Sequence, residues 1–184
     1  RNLQGLDKPI LDSLGIDKNK PEKQQRNQTG SPILEEGDIL LNTTLAETSD
    51  WQQVDLPVVS TLRHFCIETL SSYTEDNQAC ISEVDLLDDK GQPIDKTKWE
   101  VVYVSSEQAD KNLGVAENLF DGDISSFWHT DPATEPGQPH RIIVDIKEIY
   151  KISALRFKVR KGAFLSGKVK EINVYGRPQF FLFH

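Results

Sequence analysis

Ala116-Glu117-Asn118-Leu119-Phe120-Asp121-Gly122-Asp123-Ile124-Ser125-Ser126-Phe127-Trp128-His129-Thr130 is the stretch on which the reading of this chain turns. It joins a carboxylate-rich turn, Asp121-Gly122-Asp123, to the hydroxyls of Ser125 and Ser126, and then to Phe127, Trp128 and His129. Glycine at 122 permits a positive φ, so the backbone there can curl and direct carbonyl oxygens inward. A carboxylate, a hydroxyl and several carbonyls are the donors that a hard cation such as calcium takes. On that reading Asp121 offers its side chain, Asn118 and Asp123 mainly their carbonyls, and Ser126 a hydroxyl or carbonyl. The same residues also suit an ordinary Asp-Gly turn capped by its own side chains. Trp128, with Ile124 and Phe127 as apolar neighbours, reads as a core anchor, because an indole buries a large area once its N–H finds a partner.

The flanking composition narrows the classes of function. The chain has 184 residues, 37% hydrophobic and 27% charged, enough for one well-packed domain with an extension. Its net charge is −8, and residues 1–31 are the more basic part, so the remainder is more acidic still. Such a surface repels phosphate backbones, and no basic stripe offsets it, which argues against nucleic acid as a partner. No apolar run approaches the roughly 20 residues that span a bilayer. The chain begins at Arg1 and holds no Met, which reads as a mature product or an excised fragment.

Residues 1–32 differ from the rest. Leu3, Leu6, Ile10, Leu11 and Leu14 suit a brief helix, and Asp17–Pro32 reads as a polar linker or plain disordered terminus. From Ile33 onward the hydrophobic period is that of strands. Candidates are Ile39–Leu41, Gln53–Leu56, Arg63–Leu70, Ile81–Leu87, Trp99–Ser105, Arg141–Ile146, Ile152–Val159 and Lys168–Tyr175. Asp88–Pro93 and Lys161–Ala163 punctuate them as turns. Short strands without long helical patterns predict an all-β, antiparallel β-sandwich of the jelly-roll kind over residues 33–184. Cys66 and Cys80 fall in segments that read as neighbouring strands, so a disulfide and two buried free thiols are both open.

Five pieces of sequence then fall into one order: Ala116–Asp123, Ser126–Thr130, Pro139–Ile146, Ile152–Phe157 and Gly167–Tyr175. Together they resemble the coagulation factor V/VIII type C, or discoidin, domain, also seen in family-32 carbohydrate-binding modules. The resemblance implies a galactose-binding-domain-like sandwich. It also implies that Glu83 reaches a structural calcium ion from a distant strand. Leu62–Ile67 and Ile81–Leu86 look like the family's closing strands, yet here they precede the motif. Either one sandwich is circularly permuted, or the chain spans parts of two modules. The length of 33–184 favours permutation.

A sugar site needs an exposed aromatic for the apolar ring face and planar polar groups for the hydroxyls. Candidates on loops are Trp51, Tyr73, His129, Arg160 and Phe164. Arg156 and Arg160 fall on one face of their strand, and a salt bridge is expected for Arg156. His140 suits satisfied structure. No Gly-x-Ser-x-Gly elbow, phosphate-cradling loop or zinc spacing is present. Asn27-Gln28-Thr29 and Asn42-Thr43-Thr44 match the glycosylation sequon, which has meaning only in a eukaryotic secretory context. The expectation is a non-catalytic, lectin-like, calcium-stapled module of a larger secreted, cell-surface or periplasmic protein, with a glycan or glycoconjugate as partner. The alternatives are a module that docks another protein, and the accessory domain of a glycan-active enzyme.

Overall fold

The computed structural model describes residues 30–133, 137–160 and 166–184. Its strands are β1 (Pro32–Ile33), β2 (Ile39–Thr44), β3 (Gln52–Thr69), β4 (Cys80–Ile81), β5 (Glu83–Asp88), β6 (Glu100–Val104), β7 (Trp128–His129), β8 (His140–Lys158), β9 (Glu171–Arg177) and β10 (Leu182–Phe183). A sheet runs β2-β9-β3-β8-β5, with β6 also on β8, and two short ladders, β1-β10 and β4-β7, flank it. Every strand pair is antiparallel, as the all-β reading predicts.

β3 and β8 are long because each bends without ending. Their pairing is interrupted between Asp55 and Ser60, and again between Leu62 and His64. Pro57, which has no N–H to give a ladder, lies in the first gap. Lys147, in the left-handed region at φ 72°, marks β8 opposite the second. On one side of the bends, β3 residues 64–69 pair with both β8 and β9, and β6 lies on β8. On the other side, β8 residues 152–158 lie between β3 and β5. The bends thus let two strands serve both layers of the sandwich.

Alternation on these strands fills two apolar clusters. Phe65, Ile67, Ile142, Val144, Ile172 and Val174 join the main core with Val84, Leu86, Leu155, Phe157 and Trp128. Cys66, Ile143 and Tyr175, on the other face, pack with Phe181. With both faces covered, His64–Thr69 reads as a continuous buried run, where a half-buried strand would alternate. Trp128 is fully buried and its indole Nε1 donates to the Ser106 carbonyl at 2.9 Å. Ile124 is exposed, so the apolar environment of Trp128 comes from the core and not from that neighbour.

Four expectations change. Gln53–Leu56 and Arg63–Leu70 are one strand, as are Arg141–Ile146 and Ile152–Val159, because the bends carry the polar and Pro residues that read as boundaries. β9 starts at Glu171, since Lys168 and Val169 make only isolated bridges to Cys80 and Ser72. Pro32 pairs with Phe183 and so belongs to the fold and not to an extension; residues 1–29 lie outside the described residues. Cys66 and Cys80 are not on neighbouring strands. Cys66 faces Ile143 and Tyr175, Cys80 faces His129, and both are buried free thiols.

Candidate functional site

The 116–130 stretch folds as a 3-10 turn, Ala116–Phe120, followed by a tight loop. Gly122 has φ 79°. Asp121 caps the loop: its Oδ1 accepts the Asp123 N–H at 2.9 Å, and its Oδ2 accepts the Ser126 hydroxyl at 2.5 Å. The Ser126 hydroxyl also lies 2.9 Å from the Asp123 carbonyl. Three of the expected oxygen donors are therefore gathered on one turn. Asn118 is buried, and its side-chain amide donates to the carbonyls of Asn112 and Phe127 at 3.1 and 3.0 Å, tying both ends of the loop together.

Glu83, the first residue of β5, is buried and reaches this loop across the order of the sequence. Both its carboxylate oxygens accept the Gly122 N–H at 3.2 Å. Burial pushes the Glu83 carboxyl up to about 7, against the pull of Lys96, and the nearby Asp121 charge adds to the rise. Among the described residues no three His, Cys, Asp or Glu side chains gather as a metal-binding group. A cation here would need the Asp123 and Asn118 carbonyls and the Ser126 hydroxyl beside Asp121 and Glu83. That is the mixed oxygen set a hard ion accepts.

A second cluster lies where β7 meets the end of β8. His129 is buried, with Nδ1 2.5 Å from the Thr130 carbonyl and Nε2 2.7 Å from the Ser166 hydroxyl. The carbonyl only accepts, so Nδ1 carries the proton in the neutral ring and Nε2 accepts from Ser166. Burial holds the His129 pKa below its ordinary value. The Arg160 guanidinium stands 4.0 Å from the centre of the Phe127 ring, and the Phe127 and His129 rings are 6.5 Å apart. Asp76 braces this end: its Oδ2 accepts the Gly167 N–H at 3.1 Å and its Oδ1 the Gln78 N–H at 3.2 Å.

The other candidates lie elsewhere or are engaged. Trp51 is 40% exposed and stacks under the Arg156 guanidinium at 5.3 Å, while Arg156 makes the expected salt bridge, to Asp85 at 2.8 Å. The Tyr73 hydroxyl donates to the Leu45 carbonyl at 2.6 Å. His140 is buried with Nε2 2.7 Å from the Asn77 carbonyl, a structural contact. Phe164 lies outside the described residues. Ser166, Asp76 and Lys96 were not legible as site residues, because a serine, an aspartate or a lysine in a polar loop carries no pattern of its own.

These features define the class: an antiparallel β-sandwich, whose residues 101–179 match the F5/8 type C domain family. The matched segment holds the 116–130 loop, β8 and β9, while β3 and β5 precede it and complete the same sheet. The chain is 33% identical over 84 residues to a sialidase from Micromonospora viridifaciens. That match covers 45% of this chain and 13% of the sialidase.

Proposed function

We propose that this domain is a non-catalytic glycan-binding module of a larger secreted or cell-surface protein, with a structural calcium ion at the 116–130 loop. The observation that carries the reading is the convergence of Phe127, His129 and Arg160 within the F5/8 type C segment. An arginine held over an aromatic ring presents planar donors at fixed geometry to sugar hydroxyls, and the half-buried Ser166 hydroxyl, oriented by buried His129, keeps oxygen lone pairs to accept from them. The segment shared with a sialidase, an enzyme whose length it covers only in small part, supports an appended role. Calcium would be held by Asp121, Glu83, Ser126 and the carbonyls of Asn118 and Asp123. It would fix a loop that lacks regular ladder bonds. Single-site affinity of such a shallow site is low, so tethering or repetition of the module supplies avidity.

The test is a glycan array followed by titration calorimetry on Arg160→Ala and His129→Ala. Arg160→Ala is expected to abolish binding while its melting temperature stays near that of the parent. Binding that survives both substitutions would exclude this site. A second reading, a module that docks another protein, is supported by the exposed apolar side chains of Phe180, Leu182 and Phe183 around the terminal ladder. An array without any bound glycan would shift the weight to it. No helix among the described residues is long and apolar enough to cross a membrane.

A further inference from the structure

Lys96 sits in a loop whose conformation is set on both sides. Ile94 is buried before it, and Asp95 Oδ1 accepts the Thr97 N–H and hydroxyl at 2.9 and 2.8 Å after it. This places the Lys96 ammonium against the start of β5. Its three donors meet three oxygens: the Glu83 carboxylate, the Val84 carbonyl at 3.2 Å and Asp85 Oδ1 at 2.5 Å. The Lys96 side chain is only 17% exposed, and those of Glu83 and Asp85 less. Arg156 holds the other Asp85 oxygen at 2.8 Å, so Asp85 is fixed between two cations. On its far side Glu83 faces the Gly122 N–H and, through it, the loop of Asp121 and Ser126.

We propose that Lys96 is a tethered cation that holds the Glu83–Asp85 carboxylates in the absence of metal and competes with a metal ion for Glu83. The inference rests on the calcium reading of the loop. A carboxylate buried beside other acids needs a positive partner, and an ammonium in a cage of three oxygens supplies one without a metal. A divalent ion bound through Glu83 would bring a like charge to the same carboxylate that Lys96 already grips. Two positive charges sharing one partly buried carboxylate repel each other more strongly than they would in water. Lys96 thus sets the affinity of the ion site downward while keeping the metal-free domain folded. The residue is neither an ion ligand nor in contact with the Phe127–Arg160 cluster. Its effect passes through Glu83.

The test uses calorimetric titration with CaCl2 and melting in EDTA on the parent chain, Lys96→Gln and Lys96→Arg. Lys96→Gln is expected to melt lower than the parent in EDTA and to bind calcium about tenfold tighter. Lys96→Arg keeps the charge and is expected to match the parent in calcium affinity. Lys96→Gln melting with the parent in EDTA overturns the proposal, as does a Lys96→Arg that gains the same affinity. Calcium bound by the parent but no tighter by Lys96→Gln overturns Lys96 as competitor and leaves the calcium reading intact. Calcium bound by none of the three overturns the calcium reading and the competition with it. If Lys96→Gln unfolds in EDTA, recovery on adding calcium supports the proposal and failure to recover overturns it.

Discussion

The backbone N–H of Gly122 points at the Glu83 carboxylate and lies 3.2 Å from each of its oxygens. Thirty-nine residues separate the two along the chain. One belongs to the polar loop that marks the family, the other to an edge strand that comes before the matched segment. The contact fastens the loop to the sheet with a charged acceptor, and several consequences follow from how it is built.

Removing the acceptor leaves the Gly122 N–H and the Lys96 ammonium without their shared partner. Glu83→Ala is therefore expected to destabilise the domain by about 1–3 kcal/mol. Thermal unfolding in EDTA measures this. An unchanged melting temperature would show that the contact does not support the loop.

Asn118 acts on the same loop from inside. Its amide donates to two carbonyls, those of Asn112 and Phe127. Asn118→Ala leaves both buried oxygens short of a donor and is expected to cost about 1–3 kcal/mol. Asn118→Asp, which removes the donor and adds a charge, is expected to cost more. Chemical denaturation of the two variants checks the order, and the reverse order would refute the donor role.

Gly167 holds φ 76°, and a Cβ there would stand 2.9 Å from the Ala79 backbone carbonyl carbon. Gly167→Ala is expected to be destabilising by roughly 1–3 kcal/mol, since neither the backbone conformation nor the close approach tolerates a methyl. Because Gly167 follows Ser166, the variant should also weaken any glycan binding at His129 and Arg160. A variant with parental stability and affinity would contradict the close packing.

His64 governs a pH response of the opposite cluster. It is buried, its Nδ1 accepts the Phe181 N–H at 3.4 Å, and its Nε2 faces Asp145 at 3.8 Å. Burial depresses its pKa below 6.5; Asp145 opposes this, and Arg63 and Arg177 add to it. The unfolded chain takes up the proton first, so the stability His64 contributes is complete above 6.5 and is lost as pH falls from there toward the folded value. Acidification from about pH 7.5 to about pH 5.5 should therefore lower the melting temperature of the parent chain more than that of His64→Gln. Equal shifts would remove His64 from the account.

Much of this was legible in the residues. Trp128 declared a core anchor by the size of its indole, and it is fully buried. The Asp121-Gly122-Asp123 turn declared its own caps, because Asx turns and a positive-φ glycine are local properties. Alternation marked where strands lie but not where they end. Pro57 and the polar residues near Lys147 look like boundaries in one dimension, yet they are the bends that let β3 and β8 continue. The pairing of Cys66 was unreadable for a related reason: Cys80 falls in β4, which pairs with β7 outside the sheet that holds β3, and only the folded topology shows this.

Local chemistry is written in neighbouring residues, so the sequence alone determined the all-β character, the aromatic anchor, the polar loop and the family resemblance of the chain. Tertiary structure decided what those parts touch. Only the folded sheet places Glu83 under Gly122, Lys96 among three oxygens, and Arg160 over Phe127. Such contacts join residues far apart in the chain, and a lysine or glutamate in a polar stretch looks the same whether it faces water or a buried partner. Burial and distance convert those side chains into a site, and both exist only once the strands have paired.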